Sequence, residues 1–439
     1  MKNITKIIFS LIVITVLVSG CKSQAKPAET IDTDTIAPTN TIKSTNTVST
    51  ISTIDIGSIR DIFAGVSDLF ILQDDNTLWG AGYHRSDRFG FSDTSGDLRI
   101  ARINDETGNP FFGVKYVAAG EKHAVILKED GTIWGAGDSS FGELGFGGGN
   151  LMAFTELGSG KSPIGGVKTI AAGNNSTLYI DSDGSLWVSG FNYYGELGLG
   201  SRDQQSSFKQ AESAGKNIKT VTAGIRHTAL LKEDGALWAA GYNFNGQLGL
   251  GDTEDRNDFT EVKNAGAGIK AVATGNYHTV ILKSDGSVWT AGSNYWGQLG
   301  LPGIYDQPNL TRVSDENGSE LRSVKEIAAR GNLTVLVKAD GSLLLAGNYT
   351  DTEGTAEFGS EAGAAIDSTK QAGGSGFAAL VPERGTLIKF AGVKKLVLGN
   401  NSVYVIDTDN RLWAAGSNRY GQLKLDLKTV TTPVLTLIN

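Results

Sequence analysis

Cysteine, methionine and histidine are scarce in this chain: one, two and four in 439 residues. A single cysteine, Cys21, excludes both an intrachain disulfide framework and a zinc site built on cysteine pairs. No Gly-x-Ser-x-Gly elbow, phosphate loop or His-Glu-x-x-His pair occurs, so no familiar catalytic constellation is present and we expect neither enzymatic activity nor a cofactor. Basic runs are lacking too. With a formal net charge of −8, nucleic acid is not an expected partner. No segment has the helical periodicity of an amphipathic helix, and no apolar stretch reaches the roughly 20 residues needed to span a bilayer.

What is present begins with Lys2 and Lys6, an apolar run from Ile7 to Val18, and Val18-Ser19-Gly20-Cys21. This is the pattern of a secretory signal over residues 1–20. The approach of small residues to one cysteine resembles the lipobox of bacterial lipoproteins, which implies a diacylglyceryl group on Cys21 and anchoring by acyl chains at roughly 0.8 kcal/mol per buried CH₂. The expected location is therefore the extracytoplasmic face of a cell membrane. Residues 21–58, Thr-rich with Ser, Pro and Asn and without an aromatic residue, read as a disordered tether, because such a composition cannot offset the entropy of ordering.

Residues 59–439 repeat themselves. The unit is clearest where Ala223-Gly224-Ile225-Arg226-His227-Thr228 leads through Asp234-Gly235 to Leu237-Trp238 and Gly241, then to Gly246-Gln247-Leu248-Gly249. Its first glycine recurs at Gly65, Gly120, Gly173, Gly224, Gly275 and Gly399, with Arg330 in the sixth copy. Fourteen residues after each lies Trp79, Trp134, Trp187, Trp238, Trp289, Leu344 or Trp413. Segments such as Thr279–Leu282 and Ser287–Ala291, rich in β-branched residues and split by Ser284-Asp285-Gly286, read as strands of a hairpin, with Asp-Gly suited to a two-residue turn. A period of about 50 residues with several short strands matches a propeller blade.

These elements, at fixed offsets from about residue 59 to 438, resemble the regulator of chromosome condensation repeat. The resemblance implies an all-β, seven-bladed β-propeller. Copy six departs most, having lost the glycine, histidine and tryptophan and carrying extra sequence from Asp351 to Gly376. Because copy one shows no obvious last strand, the C-terminal run Thr432–Leu437 is expected to complete the first blade.

Three of the four histidines, His123, His227 and His278, share one repeat position, occupied elsewhere by Asp68, Ser176, Leu333 and Ser402. Equivalent positions on different blades are spread around a ring and cannot meet at the roughly 2 Å that zinc requires, so these histidines are expected to be buried and bonded between blades, and no metal is expected. Asp181-Ser182-Asp183-Gly184 looks like half a calcium loop but lacks its remaining ligands; a hairpin turn explains it. Adjacent Asp and Gly also differ in spacing from the Asp-box of sialidase propellers.

The variable loop before Gly-Gln-Leu-Gly is the expected binding surface. Its third and fourth positions are Ser140 and Phe141, Tyr193 and Tyr194, Phe244 and Asn245, Tyr295 and Trp296, Arg419 and Tyr420. Aromatic residues and arginine are the types enriched at binding hot spots. Tyr193, Phe244, Tyr295 and Arg419 are expected to be exposed, whereas Phe141, Tyr194, Trp296 and Tyr420 either face solvent or pack under the next blade. Within the family that the repeat resembles, nuclear members act as exchange factors on a small GTPase and bind chromatin, and a secreted bacterial relative inhibits β-lactamase. A secretion signal favours the second kind of role: a monomer binding an extracytoplasmic protein, such as a secreted or cell-wall enzyme. Carbohydrate or cell-wall binding is the alternative, since exposed rings also stack on sugars. A hydrolase is a third reading that no carboxylate pair singles out.

Overall fold

The computed structural model describes residues 58–82, 100–105, 107–159, 162–303, 305–314, 318–348, 378–379, 390, 392–418 and 431–438. Cys21, the signal and the tether up to residue 57 lie outside these residues, as do Arg419 and Tyr420. Within the compact unit Ile54–Asn439 the described strands form seven four-stranded antiparallel sheets, each taken in chain order from its first strand to its fourth, and one small two-stranded ladder of Gly158–Ser159 with Ser162–Pro163. Blade four is representative: Ile218–Ala223, His227–Lys232, Leu237–Gly241 and Arg256–Glu261. In its ladder Leu230 faces Trp238 and Trp238 faces Glu261.

The core lies between blades. Among the described residues there are seven clusters of buried apolar side chains, one at each junction. At the junction of blades four and five, Leu231 and Leu237 meet Ile269 and Ile281. The ring closes in the same way, with Ile62, Leu69 and Ile71 of blade one packed on Tyr404, Ile406 and Leu412 of blade seven. Each fully buried aliphatic side chain contributes on the order of 1.5–3 kcal/mol.

Two expectations are corrected here. The C-terminal strand, Thr431–Ile438, pairs with Leu412–Ser417 and so completes blade seven; blade one has its own fourth strand, Ile100–Arg102. That strand is only three residues long and too short to stand out in sequence. The Asp-Gly turns are also longer than expected. The N–H of Gly235 donates to Lys232 O at 3.0 Å, and Asp234 Oδ1 accepts the N–H of Ala236 at 2.9 Å. Only the glycine, at φ +86°, is left-handed, which is the three-residue hairpin with a terminal bulge. Blades one and seven use Asn76 and Asn410 at this position, at φ +66° and +60°.

The residue six positions before the repeated tryptophan touches its ring. In blades one, three and seven the indole Nε1 donates to Gln73 at 2.9 Å, Asp181 at 2.8 Å and Asp407 at 2.9 Å. In blades two, four and five that residue is a lysine whose ammonium lies over the ring, 5.2 Å from Trp134 and 4.5 Å from Trp238 and Trp289. Asp181 therefore serves the tryptophan and the turn, accepting N–H bonds from Asp183 and Ser185 as well.

Candidate partner-binding face

Antiparallel order dictates which loops share a face. The turns between first and second strands, and the loops between third and fourth strands, gather at one end of the propeller. The Asp-Gly turns lie at the other.

On the first face each third–fourth loop is shaped by buried polar side chains. In blade four Asn243 Oδ1 accepts the N–H of Leu248 at 2.9 Å, while Gln247 Oε1 accepts the N–H of Asn245 at 3.1 Å. Blade five repeats this with Asn294 to Leu299 and Gln298 to Trp296. Blade three does so with Asn192 to Leu197 and Glu196 to Tyr194. In blade two Ser139 and Glu143 take the same roles toward Leu144 and Phe141. Tying the second and fourth loop residues inward leaves the third projecting. Tyr193, Phe244 and Tyr295 are accordingly 62%, 70% and 64% exposed. Burial raises the Glu196 carboxyl to about 7, and only in part do hydrogen bonds and Arg226 oppose that rise.

The fourth position divides. Phe141 and Trp296 face solvent. Tyr194 is half-buried, its ring 4.9 Å from that of Tyr242, with the Arg226 guanidinium 4.7 Å from its centroid and Arg226 Nη1 donating to its hydroxyl at 3.0 Å.

These rings form a continuous ladder. Phe141 meets Phe191 at 5.2 Å, Phe191 meets Tyr193 at 6.4 Å, Tyr193 meets Tyr194 at 5.1 Å, and Tyr194 leads through Tyr242 to Phe244 and Tyr277. Four successive blades contribute. Tyr295 and Trp296 form an edge-on pair at 4.9 Å beside it. Sequence reasoning missed Phe191, Tyr242 and Tyr277, and also Tyr305, which is 78% exposed. Phe191 and Tyr242 do share a signal, since both directly follow the third-strand glycine. The cations of this face are partly engaged, Arg202 with Asp255 at 3.1 Å and Arg256 with Asp252 at 2.6 Å.

The histidines are buried between blades. His123 Nε2 lies 3.1 Å from Thr177 Oγ1, His227 Nε2 3.1 Å from Thr279 Oγ1, and His278 Nε2 2.9 Å from Thr334 Oγ1. The relay continues, because Thr279 donates to Gln247 O and Thr334 to Gln298 O, each at 2.7 Å, in the loops of the preceding blade. Burial pulls His227 down to about 4 and His278 to about 3. This ring also explains the first glycine: a Cβ on Gly224 would stand 2.5 Å from His227 Cε1. Copy six has Leu333 in place of the histidine and tolerates Arg330 in place of the glycine. Among the described residues no cluster of three or more His, Cys, Asp or Glu is arranged to hold a metal ion.

First strands of all seven blades line an axial channel of about 240 Å³, with Ala118, Ala171, Thr222, Ala273, Ala329 and Val397 on its wall. Arg330 crosses it, Nη2 donating to Ala119 O of blade two at 2.7 Å.

Comparison with known proteins agrees with this architecture. Profiles described as the regulator of chromosome condensation (RCC1) repeat match residues 114–143, 167–196, 218–247, 269–298 and 393–422, and, in a second form, 183–231 and 234–282. The ultraviolet-B receptor UVR8 of Arabidopsis thaliana is 31% identical over 211 residues, 46% of each chain. The secretion-regulating guanine nucleotide exchange factor of Bos taurus is 40% identical over 131 residues, 29% of this chain and 28% of that one. The chain thus spans less than half the length of the curated relatives it matches. Among solved structures, human WBSCR16 superposes with a TM-score of 0.65 at 15% identity, covering 83% of this chain and 94% of that one. Yeast RCC1 (Prp20), in its complex with Kap60, gives 0.63 at 17%, covering 87% and 85%.

Proposed function

The chain is a propeller of regulator of chromosome condensation repeats, and on that premise we propose that it is a non-catalytic binding protein that takes another protein onto its aromatic face. One observation carries this reading: a ladder of rings on four blades, whose outermost members are held out by buried Asn, Gln and Glu side chains. Solvent-facing rings on a rigid frame lose little conformational entropy when a partner covers them. The yeast protein of similar fold was solved with another protein, Kap60, bound.

The finer reading places the propeller outside the cytoplasm, tethered through a lipidated Cys21, where it regulates or inhibits a secreted or cell-wall enzyme. Its support is the sequence Val18-Ser19-Gly20-Cys21 behind an apolar run. Carbohydrate binding is the second reading, favoured by the exposure of Phe141, Tyr193 and Phe244 on one ladder of rings.

The test exposes the full chain to secreted proteins and, separately, to purified cell-wall polysaccharide, beside a Y193A/F244A/Y295A variant. Protein capture that the triple change abolishes supports the proposal. Retention of polysaccharide alone supports the second reading, and capture indifferent to the change removes this face from consideration. Labelling with radioactive palmitate, present in the natural chain and absent from Cys21→Ser, checks the anchor.

A further inference from the structure

The opposite end of the propeller carries a second seven-fold pattern that the binding reading does not use. The residue following the buried Val or Ile at the base of each innermost strand is Arg60, Lys115, Lys168, Lys219, Lys270, Lys325 or Lys394. Lysine and arginine number 39 in 439 residues, yet they fill this position in every copy. All seven are exposed.

Their presentation is built into the backbone. In six blades the ladder between first and second strands slips at this very residue, between Ile59 and Asp61, Val114 and Tyr116, Ile218 and Thr220, Ile269 and Ala271, Val324 and Glu326, and Val393 and Lys395. A β-bulge leaves one residue unpaired and re-aims its side chain. Here the unpaired residue is the base in all six, and in every blade the base stands at or just before the start of the strand that lines the channel. Neighbours on the ring are within a side chain's reach: Lys270 Nζ donates to Lys325 O at 3.2 Å.

Local acids engage only part of this charge. Arg60 pairs with Glu129 at 3.4 Å and donates to Asn76, and Lys394 donates to Asn410 at 2.7 Å. Among the described residues the ammonium groups of Lys115, Lys168, Lys219 and Lys325 make no ion pair. Of the acids one residue further on, Asp61 is paired with Lys395 at 3.1 Å, and Glu326 is a partly buried carboxyl that burial raises while Lys325, Lys395 and Lys270 oppose that rise. Further from the axis the same end carries the Asp-Gly turns, where Asp75, Asp130, Asp234 and Asp285 accept N–H bonds from their own turns. Positive charge is therefore central and negative charge peripheral. Like charges ringed around one mouth repel one another, and a multivalent anion held among them relieves that repulsion.

We propose that this mouth binds a compact anion bearing several phosphate groups. A flat anionic membrane would press on the acidic turns as well as on the bases, whereas a ligand narrow enough to sit on the axis meets the bases alone. Orthophosphate, with a single group, spans too few of them to bind comparably.

The probe is inorganic tripolyphosphate, titrated calorimetrically into the full chain at low salt. Expected are saturable binding that weakens steeply with added KCl, and at least a tenfold loss in K115Q/K168Q/K219Q/K325Q, with K122Q/K209Q unchanged. If the quadruple variant loses its thermal transition, the four single variants, each expected to bind two- to threefold more weakly, make the same test. Equal affinity of the natural and substituted chains, or orthophosphate binding as tightly as tripolyphosphate, overturns the proposal. So does lysine-dependent binding to phosphatidylglycerol vesicles or to single-stranded DNA that tripolyphosphate fails to displace.

Discussion

Arg330 on blade six donates through Nη2 to the carbonyl of Ala119 on blade two, 2.7 Å away across the channel and 211 residues distant in sequence. The contact joins blades that are not neighbours. Burial draws its guanidinium down to about 10, with the nearby Asp68 carboxylate opposing that fall. Two departures from the repeat thus meet, an arginine where a glycine belongs and an aspartate where a histidine belongs. Arg330→Met removes the strut and the cation beside Asp68, and is expected to cost about 1–3 kcal/mol in urea unfolding. An unchanged midpoint would show the strut to be energetically idle.

A stabilising change can be read from the tryptophans. Trp134 and Trp289 donate Nε1 to Thr132 and Ser287, each at 3.2 Å, two residues earlier. Trp238 has Ala236 at that position, and its buried Nε1 has no acceptor. Ala236→Ser supplies one and should stabilise by about 1 kcal/mol. A melting temperature equal to or below that of the natural chain counts against this assignment.

The interblade histidines make stability depend on pH. Their folded values, about 4 for His227 and 3 for His278, lie below the ordinary 6.5. Such groups stabilise fully above pH 6.5, and that contribution is lost as pH falls from 6.5 through about 4 for His227 and about 3 for His278, because the unfolded chain binds the protons first. Unfolding midpoints are expected to drop steadily over that window, and His278→Gln should flatten the slope while lowering stability at neutral pH. Parallel pH profiles for the two chains would refute the assignment.

Glu196 titrates in the opposite sense. With its folded value raised to about 7 from 4.5, its contribution is present below pH 4.5 and lost as pH rises through 7. Glutamine occupies the equivalent places at Gln247 and Gln298. Glu196→Gln keeps an acceptor for the N–H of Tyr194 and is expected to raise stability at pH 8 with little effect at pH 5. Equal gains at both pH values would point to packing rather than charge.

Much of this molecule was legible in its sequence because repetition multiplies a weak signal. One Asp-Gly or one tryptophan means little, whereas the same glycine-to-tryptophan spacing in successive copies specifies a blade. Burial of His123, His227 and His278 between blades followed from their shared position on a ring. Less legible was whatever depends on contact between copies. Closure was misread because Ile100–Arg102 is so short, and the turns because the aspartate carboxylate, not a second left-handed residue, shapes them. Tyr193, Phe244 and Tyr295 were foreseen from position alone, but Phe191, Tyr242 and Tyr277 become part of the ladder only once neighbouring loops meet in space. The ring of bases escaped notice because an exposed lysine on a strand is unremarkable until six bulges fall on it.

Whether the ladder is the partner-binding face is tested most directly by the affinity ratio between the natural chain and Y193A/F244A/Y295A for the protein the natural chain captures. Three exposed rings acting as hot spots at about 1–2 kcal/mol each predict at least a hundredfold weakening, with the melting temperature unchanged. Affinities within a factor of two of each other, with both chains folded, would contradict the account.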